Sequence, residues 1–156
     1  MPSPGAARVT WGRPGYSLGC RRVSLYEWLL FLHLLAAFLL VSGVVAYGVA
    51  VFGRDDVAVS RALAPPAMAL WNAGGLGVIV FGVWLALEVD GYELWDGWII
   101  AAIVLWLIGS GAGGRLGAGA REGKSVAGVD GARAMVAVMA LTTLLVLIDM
   151  IWKPGA

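Results

Sequence analysis

Four long apolar runs, separated by short polar breaks, set the plan of this chain. The first runs from Trp28 to Gly53 without a charged side chain. A helix needs about 20 apolar residues to cross the hydrocarbon of a bilayer, so this run spans it with a margin for tilt. It predicts a helix over residues 24–52, stopped by Gly53-Arg54-Asp55-Asp56. A loop is expected next. Pro65-Pro66 then suits the first turn of a second helix, where a missing N–H costs nothing, and that helix is expected over 66–89. No charge falls between Arg61 and Glu88. Asp90-Gly91-Tyr92-Glu93 reads as a tight reversal. A third helix is expected over 94–114, opened by Trp95 and Trp98 as interfacial anchors. A polar, glycine-rich loop leads to a fourth helix over 131–152, ahead of Lys153-Pro154-Gly155-Ala156.

The expected fold is therefore all-α, an antiparallel four-helix bundle of membrane-spanning helices, because sequential spans joined by short loops must reverse direction. Backbone polar groups find no water in hydrocarbon, so each crossing should be helical throughout. Residues 1–22, rich in proline, glycine and arginine, read as a disordered polar tail, and residues 23–156 as the transmembrane domain. The arginine pair Arg21-Arg22 ahead of a run this long fits an uncleaved anchor better than a signal peptide, whose apolar core is about 7–15 residues. Basic residues flank the spans on both sides, so charge alone sets no orientation.

Composition sharpens the membrane reading. Of 156 residues, 60% are hydrophobic and 13% charged, against about 25% charged in a soluble domain, and the mean hydropathy is +0.85. The net charge of +1 and the lack of a clustered basic face leave no footprint for nucleic acid. The single cysteine, Cys20, excludes an intrachain disulfide.

Small residues mark the expected contacts between helices. Gly109, Gly113 and Gly117 recur every four positions, a spacing that lets helix backbones approach closely in lipid. Gly74, Gly75, Gly77 and Gly82 allow the same on the second helix, and Ser42, Ala46 and Ala50 form a small stripe on the first. These faces serve packing within the bundle, or a homodimer.

Chemistry-bearing residues are few. His33, the only histidine, lies roughly 13 Å into the first helix, on a stripe with Tyr26, Ala37, Leu40, Val44, Tyr47 and Val51. Ionisable groups at that depth face a bundle interior and are functional candidates by default. Asp149, on a stripe with Thr142, Leu145, Val138 and Met135, is the second candidate; Lys153 follows it at the spacing of a helical ion pair. Because the first helix starts on the side where the fourth ends, His33 and Asp149 fall in the same half of the bundle. Together they can relay protons or hold a metal or haem, with Tyr47, Thr142 and Lys153 as supporting polar groups. One histidine and one cysteine do not supply the four ligands of a structural zinc site. Met135 and Met139 are one turn apart and suit core filling, and Asn72 suits a hydrogen bond between helices.

The segments Leu25-Tyr26-Glu27, Phe31-Leu32-His33-Leu34-Leu35 and Asp149-Met150-Ile151-Trp152-Lys153-Pro154 resemble the bacterial integral membrane proteins called domain of unknown function 2269, over residues 24–154. This resemblance implies a multi-pass protein of the bacterial inner membrane with no established activity. A histidine early in the first helix is also similar, more distantly, to the copper-resistance D-type membrane domain and to membrane-bound protoporphyrinogen oxidase. That likeness implies copper or haem at His33, whereas the further histidines of those patterns have no counterpart here. Three function classes follow: a non-enzymatic structural or accessory component of a membrane complex, a haem- or metal-associated protein using His33, and a transporter or proton conductor.

Overall fold

The computed structural model describes residues 24–53, 57–88 and 95–152. It contains four helices: α1 (Leu25–Phe52), α2 (Val57–Glu88), α3 (Gly97–Arg121) and α4 (Ala132–Trp152), with a short 3-10 turn at Val126–Gly128. All four are long and apolar enough to cross a membrane. The expected tail over 1–22, the Arg54–Asp56 stop, the reversal at 90–93 and Lys153 lie outside the described residues.

α1 starts where its sequence provides a cap. Ser24 Oγ accepts the N–H of Glu27 at 3.2 Å, and the Glu27 carboxylate accepts the N–H of Ser24 at 2.9 Å, satisfying two of the N–H groups that a helix start leaves open. Its apolar run continues to Phe52, and the Gly53 N–H closes the last turn on the Val49 carbonyl at 2.8 Å.

The second helix departs from the expectation. It begins at Val57, and Pro65 and Pro66 sit inside it. Two prolines in a helix interior remove two N–H donors and crowd the turn before them. The segment stays helical because its other face is anchored. Ser60 and Ala64 are buried, Ser60 Oγ accepts the Ala127 N–H at 3.3 Å, and both proline rings are exposed. Pro65→Ala should therefore restore one backbone hydrogen bond at no loss of packing. We expect a gain of about 1 kcal/mol, read as a melting temperature raised by a few degrees in detergent. A fall would mean that the proline ring makes contacts the fold requires.

α3 also outruns its expected end, continuing through the glycine-rich segment to Arg121. These glycines stay helical because partners press on them. A methyl built at Gly109 would lie 2.7 Å from Thr142 Oγ1, at Gly113 2.6 Å from Trp71 Nε1, and at Gly117 2.9 Å from Met68 Sδ. The chain then turns at Gly123 (φ 80°) and Gly131 (φ 74°), left-handed conformations that glycine adopts without a Cβ clash. Between them Val126, fully buried at 0% exposure, plugs the end of the bundle against all four helices.

The bundle consists of two tight hairpins. α1 packs most extensively on α2, and α3 on α4; the α1–α4 and α2–α3 seams are thinner. The α1–α2 crossing brings backbone against backbone. A methyl at Gly43 would meet the Trp71 nitrogen at 2.7 Å, one at Gly74 would collide with the Leu40 nitrogen, and one at Gly77 would reach Ala36 Cβ at 2.8 Å. Residue numbers rise on α2 as they fall on α1, so the pair is antiparallel. The expected stripe on α1 is corrected in part: Ala50 is buried, Ser42 is exposed, and Gly43 with Ala36 and Leu40 makes the contact. The outward faces are apolar in every helix, with Phe38, Leu76, Leu107 and Leu141 more than half exposed.

Candidate functional site

His33 projects from α1 onto α2 because Gly82 leaves it room. A methyl at Gly82 would lie 3.0 Å from His33 Cε1 and 3.3 Å from Nδ1. Nδ1 is buried and has no hydrogen-bond partner of good geometry; the Val78 backbone, one turn away on α2, is the polar group that bears on the ring.

The imidazole borders a groove of about 420 Å³ at the end of the bundle where α1 starts and α4 ends. α1 and α4 form its sides. Its lips, Leu34 and Ile151, are exposed. Gly82 and Ala86 of α2 and Trp98 of α3 line it as well. Tyr26, two turns before His33 on the same face of α1, also lines it. Among the described residues no lysine, arginine, aspartate or glutamate lines it. On its deeper side His33 borders a void of about 30 Å³ with Val78, Thr143 and Val146. A further cavity of about 50 Å³ lies between α2 and the second hairpin, lined by Trp71, Trp106 and Thr142.

Asp149 is not brought to His33. It is buried, at 9% exposure, and its Oδ2 has no hydrogen-bond partner. The α4 residues on the groove are Leu147, Met150 and Ile151. Asp149 sits about 100° round the helix from Met150 and, like Thr142 and Val146, is buried on α4. The two candidates share one end of the bundle, but Asp149 is not among the described residues that line the groove, and neither hydrogen bond nor ion pair joins it to His33.

The supporting polar residues are dispersed. Tyr47 is 1% exposed, in the core with Val51, Ala67 and Val126; its Oη lacks a hydrogen bond, and Arg121 is the charge that bears on it. It lies four turns of α1 beyond His33, toward the other end. Thr142 spends its hydroxyl on its own helix, donating to the Val138 carbonyl at 2.8 Å. Lys153 lies outside the described residues. Asn72, expected to bridge helices, is exposed and donates to the Met68 carbonyl of its own helix at 2.8 Å. Met139 is fully buried core and Met135 packs beside it. Trp95 is 82% exposed, as an anchor should be, whereas Trp98 is buried and faces the groove.

Two features escape sequence reasoning. Trp106 Nε1 is buried without a hydrogen-bond partner and lies 2.9 Å from where Gly75 would carry a methyl; its place in an apolar run gave no sign of that. Met150 shares the groove with His33, a pairing that only the tertiary fold creates. Against the copper and haem implied by resemblance, the groove offers one imidazole and one thioether. Among the described residues no three of His, Cys, Asp and Glu come together as a metal site. The donor set does not fit two-histidine haem ligation within one chain.

Comparison of the chain with protein-family models, with curated proteins and with solved structures gave no match.

Proposed function

We propose that this chain is a multi-pass integral membrane protein, of the bacterial inner membrane, that serves as a non-enzymatic structural or accessory component of a membrane assembly. The observation that supports it is the division of its surfaces. Large apolar side chains face outward on all four helices, where a soluble monomer rarely exposes so much contiguous apolar area. Inside, among the described residues, His33 Nδ1, Tyr47 Oη and Asp149 Oδ2 have no hydrogen-bond partner, so none stands in a nucleophile–base or acid–base pair. Kinship with the domain of unknown function 2269 proteins is part of the same proposal and rests on the segments around His33 and Asp149. The partner is a second copy of the chain or another membrane subunit.

The test is affinity purification of the tagged full chain from alkali-washed membranes in mild detergent. We expect it to stay with the membrane pellet and to elute as a homodimer or with a stoichiometric partner. Release by alkali would overturn the membrane assignment. A monomer carrying a Soret band or stoichiometric copper, lost in His33→Ala, would replace this reading with the cofactor one. pH-dependent ion flux in liposomes, lost in His33→Ala or Asp149→Asn, would replace it with the transporter one.

A further inference from the structure

The groove at His33 has the size and lining of a ligand site, and we propose that it binds the ring of a lipid-soluble quinone taken laterally from the bilayer. This goes beyond the accessory role and does not depend on it. At about 420 Å³ the groove falls within the range of roughly 300–1,000 Å³ typical of small-molecule sites. The exposed lips Leu34 and Ile151 belong to the apolar outer surface, so the occupant enters from hydrocarbon and brings an apolar tail.

The lining favours an uncharged head. Among the described residues no cation lines the groove to neutralise a carboxylate or phosphate, and no anion lines it to hold an amine; an unpaired charge in so apolar a site is strongly penalised. The head must also hydrogen-bond. The His33 imidazole lines the groove and can donate or accept through its ring nitrogens, and the Tyr26 hydroxyl can do either. These two side chains share one face of α1, seven residues and so roughly 10 Å apart along the helix. A head with oxygens at opposite edges of a six-membered ring can present one oxygen to each of these side chains. An alcohol or an ester engages only one end. Trp98 also lines the groove and offers an aromatic contact to a planar ring.

A short-tailed benzoquinone titrated into the purified full chain in detergent tests this, with indole fluorescence as readout, because a quinone stacked on Trp98 quenches it. We expect saturable quenching whose amplitude falls in Trp98→Phe. Binding should weaken about tenfold in His33→Leu, the loss of one hydrogen bond, and less in Tyr26→Phe. It should vanish in Ala37→Phe, which fills the groove. Variants are compared after circular dichroism and size-exclusion show the native helix content and size; if Ala37→Phe fails there, His33→Leu and Tyr26→Phe carry the test. Quenching that never saturates and is equal in all variants would overturn the site. Saturable quenching that is unchanged in His33→Leu and Tyr26→Phe, or is displaced equally by a plain alkane, would overturn recognition of the quinone head.

Discussion

Gly74→Ala should cost about 3 kcal/mol or more, at or above the top of the usual range for overpacking a core, and Gly74→Leu should abolish the folded monomer. The added methyl at Gly74 collides with the backbone nitrogen of Leu40. No rotamer change relieves a clash with backbone, so the helices must separate and surrender the closest crossing in the molecule. Gly82 makes the contrast. There the obstacle is the far edge of the His33 ring, which can swing away, so Gly82→Ala should be milder in stability and felt in the groove instead. Gly48 has nothing within 4 Å of its would-be Cβ, and Gly48→Ala should be neutral or gain up to about 1 kcal/mol of helix propensity. Unfolding in a denaturing detergent, followed by circular dichroism, ranks the three. A Gly74→Ala protein as stable as the wild type would refute the backbone contact.

How much of this was legible beforehand depends on which force decides each feature. The number of helices and the ends of α1 and α4 follow from apolar run length and from the Ser24–Glu27 cap, both local properties. The stripe Gly109, Gly113, Gly117 was legible because close helix approach demands small residues at a fixed spacing, and its partners are Thr142, Trp71 and Met68. The start of α2 was not. Pro65-Pro66 is a local signal for a helix N-terminus, overridden by the burial of Ser60 and Ala64 against the Val126 turn. α3 runs past its expected end because glycines that look like a loop are held by distant side chains, Gly117 by Met68 and Gly119 by Val129. Of the candidate site, the inward face of His33 was readable from one helical wheel. Its seat on Gly82, the groove, and the absence of Asp149 from the described lining depend on how four helices are rotated about their axes, which no single helix encodes.

Asp149→Leu should make the protein more stable, by about 1–3 kcal/mol, the usual cost of a buried polar atom left without a partner. Oδ2 is such an atom, and its neighbours on the stripe, Thr142 and Val146, are buried. Asp149→Asn removes the charge and keeps the size, but leaves an amide with the same unmet demand, so it should recover only part of the gain. The alternative is an ion pair with Lys153. In that case Asp149→Leu and Lys153→Met would each destabilise, and the double variant would lose far less than their sum, the mark of two groups in contact. A further cycle decides whether the carboxyl belongs with His33. Asp149 is not among the described lining residues of the groove and shares no hydrogen bond with His33, so His33→Leu and Asp149→Leu should be additive in stability within about 0.5 kcal/mol. Asp149→Leu should also leave quinone quenching at the groove unchanged. Coupling of 1 kcal/mol or more, or a weakened quinone site, would join the two residues into one unit and restore the proton relay as the better account of this end of the bundle.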